Sequence, residues 1–369
     1  MSQQVPPGLQ LTHTSTPVPI IQGGMGVGIS LSGLASAVAE AGGVGMISAA
    51  GIGMMEPDFR TSFRAANERA LRREIRTARR ITEGAIGVNI MMALRDADNL
   101  IRVAVEEEAN LVALGAGLPM RRPAGIQLEL LSNTQTDFVP IVSSARAAKL
   151  ILRHWLRHHN RVPDGFIVEG PLAGGHLGFR REEIDCKTLE DLVRQTIDVV
   201  GEAEQRTGER IAVIGAGGVY NGADIHRMLD LGAAGVQMAT RFVATDECDA
   251  DDRFKQAYVA CQEKDLVIID SPLGLPGRAI RSRFLDEVSQ GRHRPSACPW
   301  HCLQTCEMTR SPYCIAKALT HAKRGELEQG FAFAGANAHR VDRIVSVRRL
   351  FDTLLMEYAE SPRSEVSDS

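Results

Sequence analysis

A helix needs about 20 apolar residues to cross a bilayer, and the sequence lacks any apolar run that approaches this length. Its opening residues also lack the basic segment followed by an apolar segment that is typical of a secretion signal. The formal net charge is only −3, which indicates neither a surface for nucleic acid nor an attraction to acidic membranes. These absences predict a cytoplasmic protein that acts on a small molecule.

Two further sequence patterns are missing. The seven cysteines are an odd number in a chain without a secretion signal, which argues against a disulfide framework. The dinucleotide fingerprint G-x-G-x-x-G is also absent, because neither glycine pair that opens such a motif is followed by the third glycine. This second absence argues against a doubly wound dinucleotide-binding sheet, which is the main alternative to the fold predicted below.

Short apolar runs alternate with amphipathic helical patterns through most of the chain. Eight such runs occur before residue 245, and most of them end in glycine. Strands that alternate with helices indicate parallel pairing, and eight of them indicate a (β/α)8 TIM barrel of the α/β class. We therefore predict an N-terminal arm over 1–16, the barrel over 17–245, a mostly helical C-terminal extension over 246–358 and a flexible tail over 359–369.

The central motif is the run Phe166–Phe179, in which a short apolar strand leads into a loop with glycines on both sides of His176. Glycine lets the backbone approach a ligand, and a histidine in such a loop can move a proton near neutral pH. A glycine-rich turn with a surface histidine is the alternative. Three other glycine-rich strand ends favour the functional interpretation, in which Gly175 contacts the cofactor. Glu169 is then either a residue that orients His176 or a carboxylate on the rim without a role in the site.

The other strand ends predict a site for a phosphorylated planar cofactor. The carboxyl ends of barrel strands share one rim, where the active site lies. Exposed amides after the last two strands, with a helix that begins at Asn221, can hold a phosphate, and glycine backbone after the first strand can lie against a flat ring. Flavin mononucleotide (FMN) fits this description, although sugar phosphates also bind to barrels in this way. The predicted contacts are Gly23, Gly24, Met25, Asn89, Gly217, Gly218, Ala239 and Thr240.

Five segments carry a resemblance to a known family, and they are Pro19–Met25, Gly87–Ile90, Ala173–Gly178, Ile214–Gly218 and Gly235–Phe242. Together and in this order they resemble the nitronate monooxygenase (2-nitropropane dioxygenase) family, whose superfamily includes the bacterial flavin-dependent enoyl-ACP reductases. The resemblance implies a barrel with non-covalent FMN, the contacts given above and a looser contact from Gln237. It also implies that His176 is the active-site histidine.

Two reactions are implied by this resemblance. In a nitronate monooxygenase, His176 takes the α-proton of a nitroalkane or holds the nitronate oxygens, and dioxygen is the second substrate. In the reductase branch, NAD(P)H is the reductant for an enoyl thioester or a quinone, and an acyl carrier is a potential partner. The missing dinucleotide fingerprint ranks nitronate oxidation first, although Gln22–Met25 is closer to the reductase branch. A third hypothesis is a flavin-bearing or cluster-bearing subunit of a complex, and a homo-oligomer fits all three.

Four cysteines of the extension are candidate metal ligands. Cys298, Cys302 and Cys306 recur every four residues, which on a helix places them on one face, and Cys314 follows. Four thiolates can hold zinc or an iron–sulfur cluster, with His301 as a substitute ligand. The spacing matches neither a zinc ribbon nor a ferredoxin. The alternative is a set of small side chains that pack as hydrophobes.

Overall fold

The structure is a computed structural model that describes residues 5–120, 134–298 and 300–362. The chain begins with a short antiparallel hairpin, β1 (Leu9–Gln10) and β2 (Ser15–Thr16). Leu9 is fully buried in one cluster with side chains from the barrel strands. The amides of His13 and Thr14 donate to the carboxylate of Asp137, at distances of 3.0 and 2.8 Å. The hairpin therefore closes the amino-terminal end of the barrel.

Eight parallel strands form a closed barrel, which confirms the predicted fold. In chain order they are β3 (Ile20–Gln22), β4 (Val44–Ser48), β5 (Ala85–Met91), β6 (Leu111–Gly115), β7 (Asp137–Val142), β8 (Gly165–Glu169), β10 (Ala212–Ala216) and β11 (Gly235–Met238), and the two-residue strand β9 (Gly175–His176) lies outside the barrel. Each barrel strand pairs with the next, and β11 pairs with β3 to close the ring. Residues such as Met46 and Ile167 fill its interior.

The helices of the barrel pack around the outside of the strands. They are α1 (Ser32–Glu40), α2 (Phe59–Ile81), α3 (Ala97–Glu106), α4 (Ala145–His159), α5 (Leu189–Thr207), α6 (Gly222–Asp230) and α7 (Thr240–Val243). Each of α4, α5 and α6 begins after a residue whose side chain accepts an amide of the first turn, as Ser144 does from Ala147. Helix and strand approach closely, since a Cβ on Gly45 would lie 1.8 Å from the carbonyl oxygen of Ala35.

The C-terminal extension adds helices and one hairpin. Its elements are α8 (Asp252–Val259), β12 (Leu266–Asp270), β13 (Pro276–Ile280), α9 (Arg283–Ser289), α10 (Ile315–Lys323) and α11 (Val347–Glu360). The two strands were not predicted, because β13 pairs with β12 on one side and with the distant β9 on the other. The last helix begins after Ser346, whose hydroxyl accepts the amide of Arg349.

A helix that crosses a bilayer needs about 20 mostly apolar residues, and this requirement applies to each of the described helices. Within residues 5–120, 134–298 and 300–362, none of them is both long enough and apolar enough to cross a bilayer. Residues 363–369 of the predicted tail lie outside the described residues. The end of the described chain packs against the barrel, because α11 contacts both α6 and α1. The extension is therefore joined to the barrel at several places.

Candidate active site

A cavity of about 490 Å³ opens where the carboxyl ends of the barrel strands meet the extension. This volume lies within the range of small-molecule binding sites, about 300–1,000 Å³. Eight of the predicted site residues line the cavity, and they are Gly24, Met25, Asn89, Gly175, His176, Gln237, Ala239 and Thr240. The structure therefore brings together residues from four widely separated stretches of the sequence.

The imidazole of His176 is held by two residues of the extension. Its Nε2 atom lies 2.7 Å from the Oγ atom of Ser271, and its ring centroid lies 5.0 Å from that of Phe333. The backbone of β9, which contains His176, pairs with β13. Burial lowers the pKa of His176 to about 4, so the ring is neutral at pH 7.

The carboxyl group of Glu169 faces the same cavity from the end of β8. Burial raises its pKa to about 8, so this side chain is mainly a neutral acid at pH 7. The hydrogen-bond partner of the His176 ring is Ser271, and no hydrogen bond joins Glu169 to His176 in the part of the chain that the structure describes. Ser271 therefore holds the position that the sequence analysis offered to Glu169.

Glycine backbone shapes the wall beside the first and third barrel strands. A Cβ on Gly24 would lie 2.3 Å from the Cβ of Asn89, so only glycine leaves that amide side chain in place. Gly23 lies just behind the wall, where its amide donates to the carbonyl oxygen of Met238 at 2.7 Å. At Gly175, φ is +80° and the space that a Cβ would enter is open. The cavity thus has flat backbone surfaces on two sides.

One buried polar atom in the wall lacks a partner. The Oε1 atom of Gln237 is shielded from solvent and accepts no hydrogen bond from the described residues. An unpaired buried acceptor is unfavourable by about 1–3 kcal/mol, so its position in a cavity wall indicates a ligand that donates to it. Gln237 lies in β11, which pairs with β10 on one side and with β3 on the other, and its side chain lines the cavity. The amide of Asn89 also lines the cavity, and the two side chains suit the edge of a heterocyclic ring.

The predicted phosphate-binding part of the site differs in one respect from the sequence prediction. Helix α6 cannot offer its first amide to a phosphate, because Gly222 donates to Glu357 of α11 at 2.9 Å. Gly217 and Gly218 lie just outside the cavity wall with φ values of +78° and +134°, and their amides donate to no acceptor within the described residues. The side chain of Asn337 donates to the carbonyl oxygen of Gly218 at 2.9 Å. The free amides remain available for an anion.

The extension supplies wall residues that the sequence analysis did not predict. Besides Ser271, they are Tyr258, Leu275, Phe333, Ala334 and Gly335. The segment that contains Phe333 packs so closely that a Cβ on Gly174 would lie 2.5 Å from the backbone of Ala334 and Gly335. The only signal in the sequence was the glycine-bounded apolar run from residue 330 to residue 337.

A buried arginine ties the histidine loop to the extension. Arg278 of β13 donates from Nη1 to the carbonyl oxygens of Pro171 and Ala173, at 2.6 and 2.8 Å. Burial lowers the pKa of this guanidinium from its usual value. These two hydrogen bonds tie the guanidinium to the backbone of the loop that carries His176, and so Arg278 stabilises that loop.

Most of this chain is similar in sequence to proteins that are already known. A family model described as nitronate monooxygenase matches residues 9–357. A Mycobacterium tuberculosis protein, (3aS,4S,5R,7aS)-5-hydroxy-7a-methyl-1-oxo-octahydro-1H-indene-4-carboxyl-CoA dehydrogenase, is 26% identical over 273 residues, which are 74% of this chain and 66% of that protein. This chain thus spans just under two thirds of that relative. A probable nitronate monooxygenase of Staphylococcus aureus is 25% identical over 74% of this chain and 78% of its own length.

Two solved structures share the fold over almost the whole chain. FabK from Thermotoga maritima superposes with a TM-score of 0.70 at 32% identity, and the match covers 93% of each chain. Nitroalkane oxidase from Streptomyces ansochromogenes has a TM-score of 0.70 at 24% identity, with 94% of this chain and 96% of that chain covered. The second likeness supports the fold alone.

Proposed function

Because this chain belongs to the nitronate monooxygenase family of flavin-dependent oxidoreductases, we propose that it is an FMN-dependent reductase that uses NAD(P)H to reduce a neutral, conjugated acyl thioester. The observation that carries this proposal is the absence of ionised groups in the described wall. Its three titratable side chains, Glu169, His176 and Tyr258, are all neutral at pH 7, because burial raises the pKa of the two acids and lowers that of the histidine. Such a wall suits an uncharged acyl group, whereas a nitronate anion would lose hydration without a counter-charge.

The residues at the strand ends fit FMN. The free amides of Gly217 and Gly218 suit its phosphate, and the side chains of Asn89 and Gln237 suit the polar edge of its ring. The unpaired Oε1 atom of Gln237 supports this assignment, because a ring N–H would satisfy it. When bound, FMN supplies hydride transfer, and the chain supplies the binding, orientation and electrostatics.

His176 and Ser271 act on the substrate as a hydrogen-bonded pair. A neutral imidazole can donate one hydrogen bond to a thioester carbonyl while its other nitrogen is held by the Ser271 hydroxyl. Negative charge develops on that carbonyl oxygen during reduction, and a fixed donor in a cavity with little water stabilises it. Glu169, which is protonated at pH 7, provides a second neutral donor in the same wall.

Two comparisons support a thioester substrate. The likeness to Thermotoga maritima FabK covers 93% of this chain, so it includes most of the extension that supplies Ser271 and Phe333 to the site. The Mycobacterium tuberculosis relative is named as a dehydrogenase of a carboxyl-CoA compound, which shows that thioester chemistry occurs among relatives of this chain.

Nitronate oxidation with dioxygen is the second candidate function. It is favoured by the family model and by the probable nitronate monooxygenase of Staphylococcus aureus. A bound nitronate would raise the pKa of His176 and so create a counter-charge for itself. This candidate differs from the first in its reductant, because the nitronate itself reduces the flavin and no nicotinamide is consumed.

The reductant separates the two candidates. The purified protein is mixed without oxygen with NADH, NADPH or propyl-2-nitronate, and the flavin absorbance is followed by stopped flow. We expect rapid bleaching by one nicotinamide, recovery of the colour after addition of a 2-enoyl thioester, and little change with nitronate. Rapid bleaching by nitronate alone would contradict the proposal and place the protein with the nitronate oxidases.

A further inference from the structure

The segment between α9 and α10 carries four of the seven cysteines, which are Cys298, Cys302, Cys306 and Cys314. All four are free thiols of intermediate exposure. The described backbone of this segment is an irregular loop, so the first three cysteines do not share a helical face. His301, the substitute ligand in the sequence analysis, is exposed, and its φ of +46° marks a left-handed turn within the loop.

This cysteine loop is anchored next to the cavity. The carbonyl oxygen of Cys302 accepts the amide of Arg95 at 3.0 Å, and Leu303 forms a β-bridge with Leu94. Residues 94 and 95 follow β5 directly, and that strand contributes Asn89 and Met91 to the cavity wall. The hydroxyl of Thr305 donates to the carbonyl oxygen of Leu273, two residues after Ser271. The loop is therefore fixed to the same rim as the histidine.

The four cysteines lie in one short loop. Cys314 immediately precedes α10, which fixes the end of that loop. The Sγ atom of Cys306 lies 3.2 Å from the Oγ atom of Ser311, which is three residues before Cys314. This contact brings the middle of the loop close to its last cysteine.

Two buried donors in this loop have no acceptor among the described residues. They are Nε1 of Trp300, which lies between the first two cysteines in sequence, and the hydroxyl of Tyr313, which directly precedes Cys314. Buried donors are almost always paired in folded proteins, so two unpaired ones in the same loop as the four thiols indicate a bound group that accepts hydrogen bonds. The inorganic sulfides and thiolates of an iron–sulfur cluster are such acceptors.

The distances between the sulfur atoms distinguish an iron–sulfur cluster from a single zinc ion. One zinc ion draws its four thiolates to within about 4 Å of one another. In the described residues no three cysteine sulfurs lie within 4.8 Å of one another. An iron–sulfur cluster attaches its thiolates to different iron atoms, so the thiolates are held further apart.

A histidine and two aspartates elsewhere in the chain also lie close enough together to bind a metal ion, but they already have other partners. The ligand atoms of His13, Asp137 and Asp164 lie within 4.8 Å of one another, at the amino-terminal end of the barrel. Backbone amides already occupy Asp137, and Arg161 pairs with Asp164 at 2.7 Å. That group therefore has a structural role in holding the N-terminal hairpin.

We propose that Cys298, Cys302, Cys306 and Cys314 are the ligands of an iron–sulfur cluster, bound beside the flavin cavity at the carboxyl-terminal rim of the barrel. The site is independent of the substrate proposal, because it depends only on the cysteine loop. Cluster content and flavin turnover are measured separately, so either proposal can fail without the other.

The test begins with the full chain purified without oxygen and then incubated with iron, sulfide and a thiol reductant. We expect iron and acid-labile sulfide in equal amounts, about two to four of each per chain. We also expect a paramagnetic signal at low temperature after reduction with dithionite, distinct from that of flavin. Less than about 0.2 iron per chain, one zinc per chain that iron and sulfide do not replace, or disulfides among the four cysteines would each overturn the proposal.

Variants locate the cluster on these cysteines. Cys302→Ser and Cys314→Ser are each expected to lower bound iron and sulfide at least tenfold. The matched control is Cys186→Ser, because Cys186 is exposed and lies outside the loop, and its iron content should equal that of the unmodified protein. Flavin content reports whether each variant has folded. If both loop variants fail to fold, the iron and sulfide content of the unmodified chain decides alone, and unchanged iron in folded variants contradicts the assignment.

Discussion

The Nε2 atom of His176 lies 2.7 Å from the Oγ atom of Ser271, and this contact joins the barrel to its C-terminal extension. Ser271 also accepts the amide of Leu273 at 3.2 Å, which holds the hydroxyl in place. A histidine that is neutral and fixed on one nitrogen presents its other nitrogen in a defined direction. The extension is therefore part of the catalytic apparatus that the proposed function requires.

Replacing Ser271 with alanine removes that orienting contact and leaves the histidine itself unchanged. We expect Ser271→Ala to lower kcat by about 10- to 100-fold, because a small misplacement of a reacting group reduces rates by such factors. Flavin content should stay the same. Ser289→Ala is a suitable control, since Ser289 is exposed and bonds only to Asp286 in its own helix. Equal rates for both variants would show that Ser271 does not position the imidazole.

Replacing His176 itself should have a larger effect. We expect His176→Ala to keep FMN bound while turnover falls by a factor of about 10² or more, the size of a lost proton-transfer or hydrogen-bonding group. In the double variant with Ser271→Ala, the second substitution should have little further effect, because the serine acts through the histidine. Additive losses in the double variant would indicate that the two residues act separately.

The raised pKa of Glu169 predicts a specific dependence of stability on pH. The usual pKa of this group is 4.5, and burial raises it to about 8 in the folded protein. The stability that the neutral form provides is complete below the usual pKa and decreases as pH rises towards 8. We expect Glu169→Gln to match the unmodified protein at pH 5 and to exceed it by a few kcal/mol at most at pH 9. Thermal unfolding measures this difference.

The exposed residue Glu182 provides the control for this pH dependence. Glu182→Gln should follow the unmodified protein at every pH, because an exposed carboxyl gains little from neutralisation. A constant difference between Glu169→Gln and the unmodified protein from pH 5 to pH 9 would contradict the neutral state assigned to Glu169.

Gly24 tests the shape of the cofactor site. In Gly24→Ala the new methyl group would lie 2.3 Å from the Cβ of Asn89, so the amide side chain must move. Overpacking of this kind is unfavourable by about 1–3 kcal/mol, and we expect FMN to bind about tenfold or more weakly. Gly201→Ala is the matched control, because a Cβ there meets nothing within 4 Å and the helix tolerates alanine well. Fluorescence titration of the flavin-free protein gives both affinities.

The barrel and much of its rim could be predicted from the sequence because their signals are local. A strand of four or five apolar residues that ends in glycine is visible within one window, and His176 and Asn89 each lie at or just beyond such an end. Parallel strands then bring those ends together in any barrel of this order. The same reasoning placed Gly24 in the cavity wall, and the family resemblance added Gln237, which the structure also has there.

The remaining parts of the site depend on contacts between distant segments. Ser271 lies in a turn with no pattern of its own, and only the pairing of β13 with β9 brings it to the histidine. The first amide of α6 was expected to be free, but Glu357 occupies it from the end of the described chain. The regular spacing of the cysteines would place them on one face of a helix, but backbone hydrogen bonds with residues 93 and 95 hold that segment as a loop. None of these contacts has a local sequence signal.

The pairing of the histidine loop with the extension also determines the order in which the site can form during synthesis. Chains emerge from the ribosome with their N-terminal parts first, and these parts begin to fold early. The last barrel strand ends at Met238, but the wall residues Phe333 and Gly335 appear much later. The barrel of a nascent chain can therefore close while the loop of His176 still faces water. We expect stable uptake of the flavin to wait until the residues that cover it have left the ribosome.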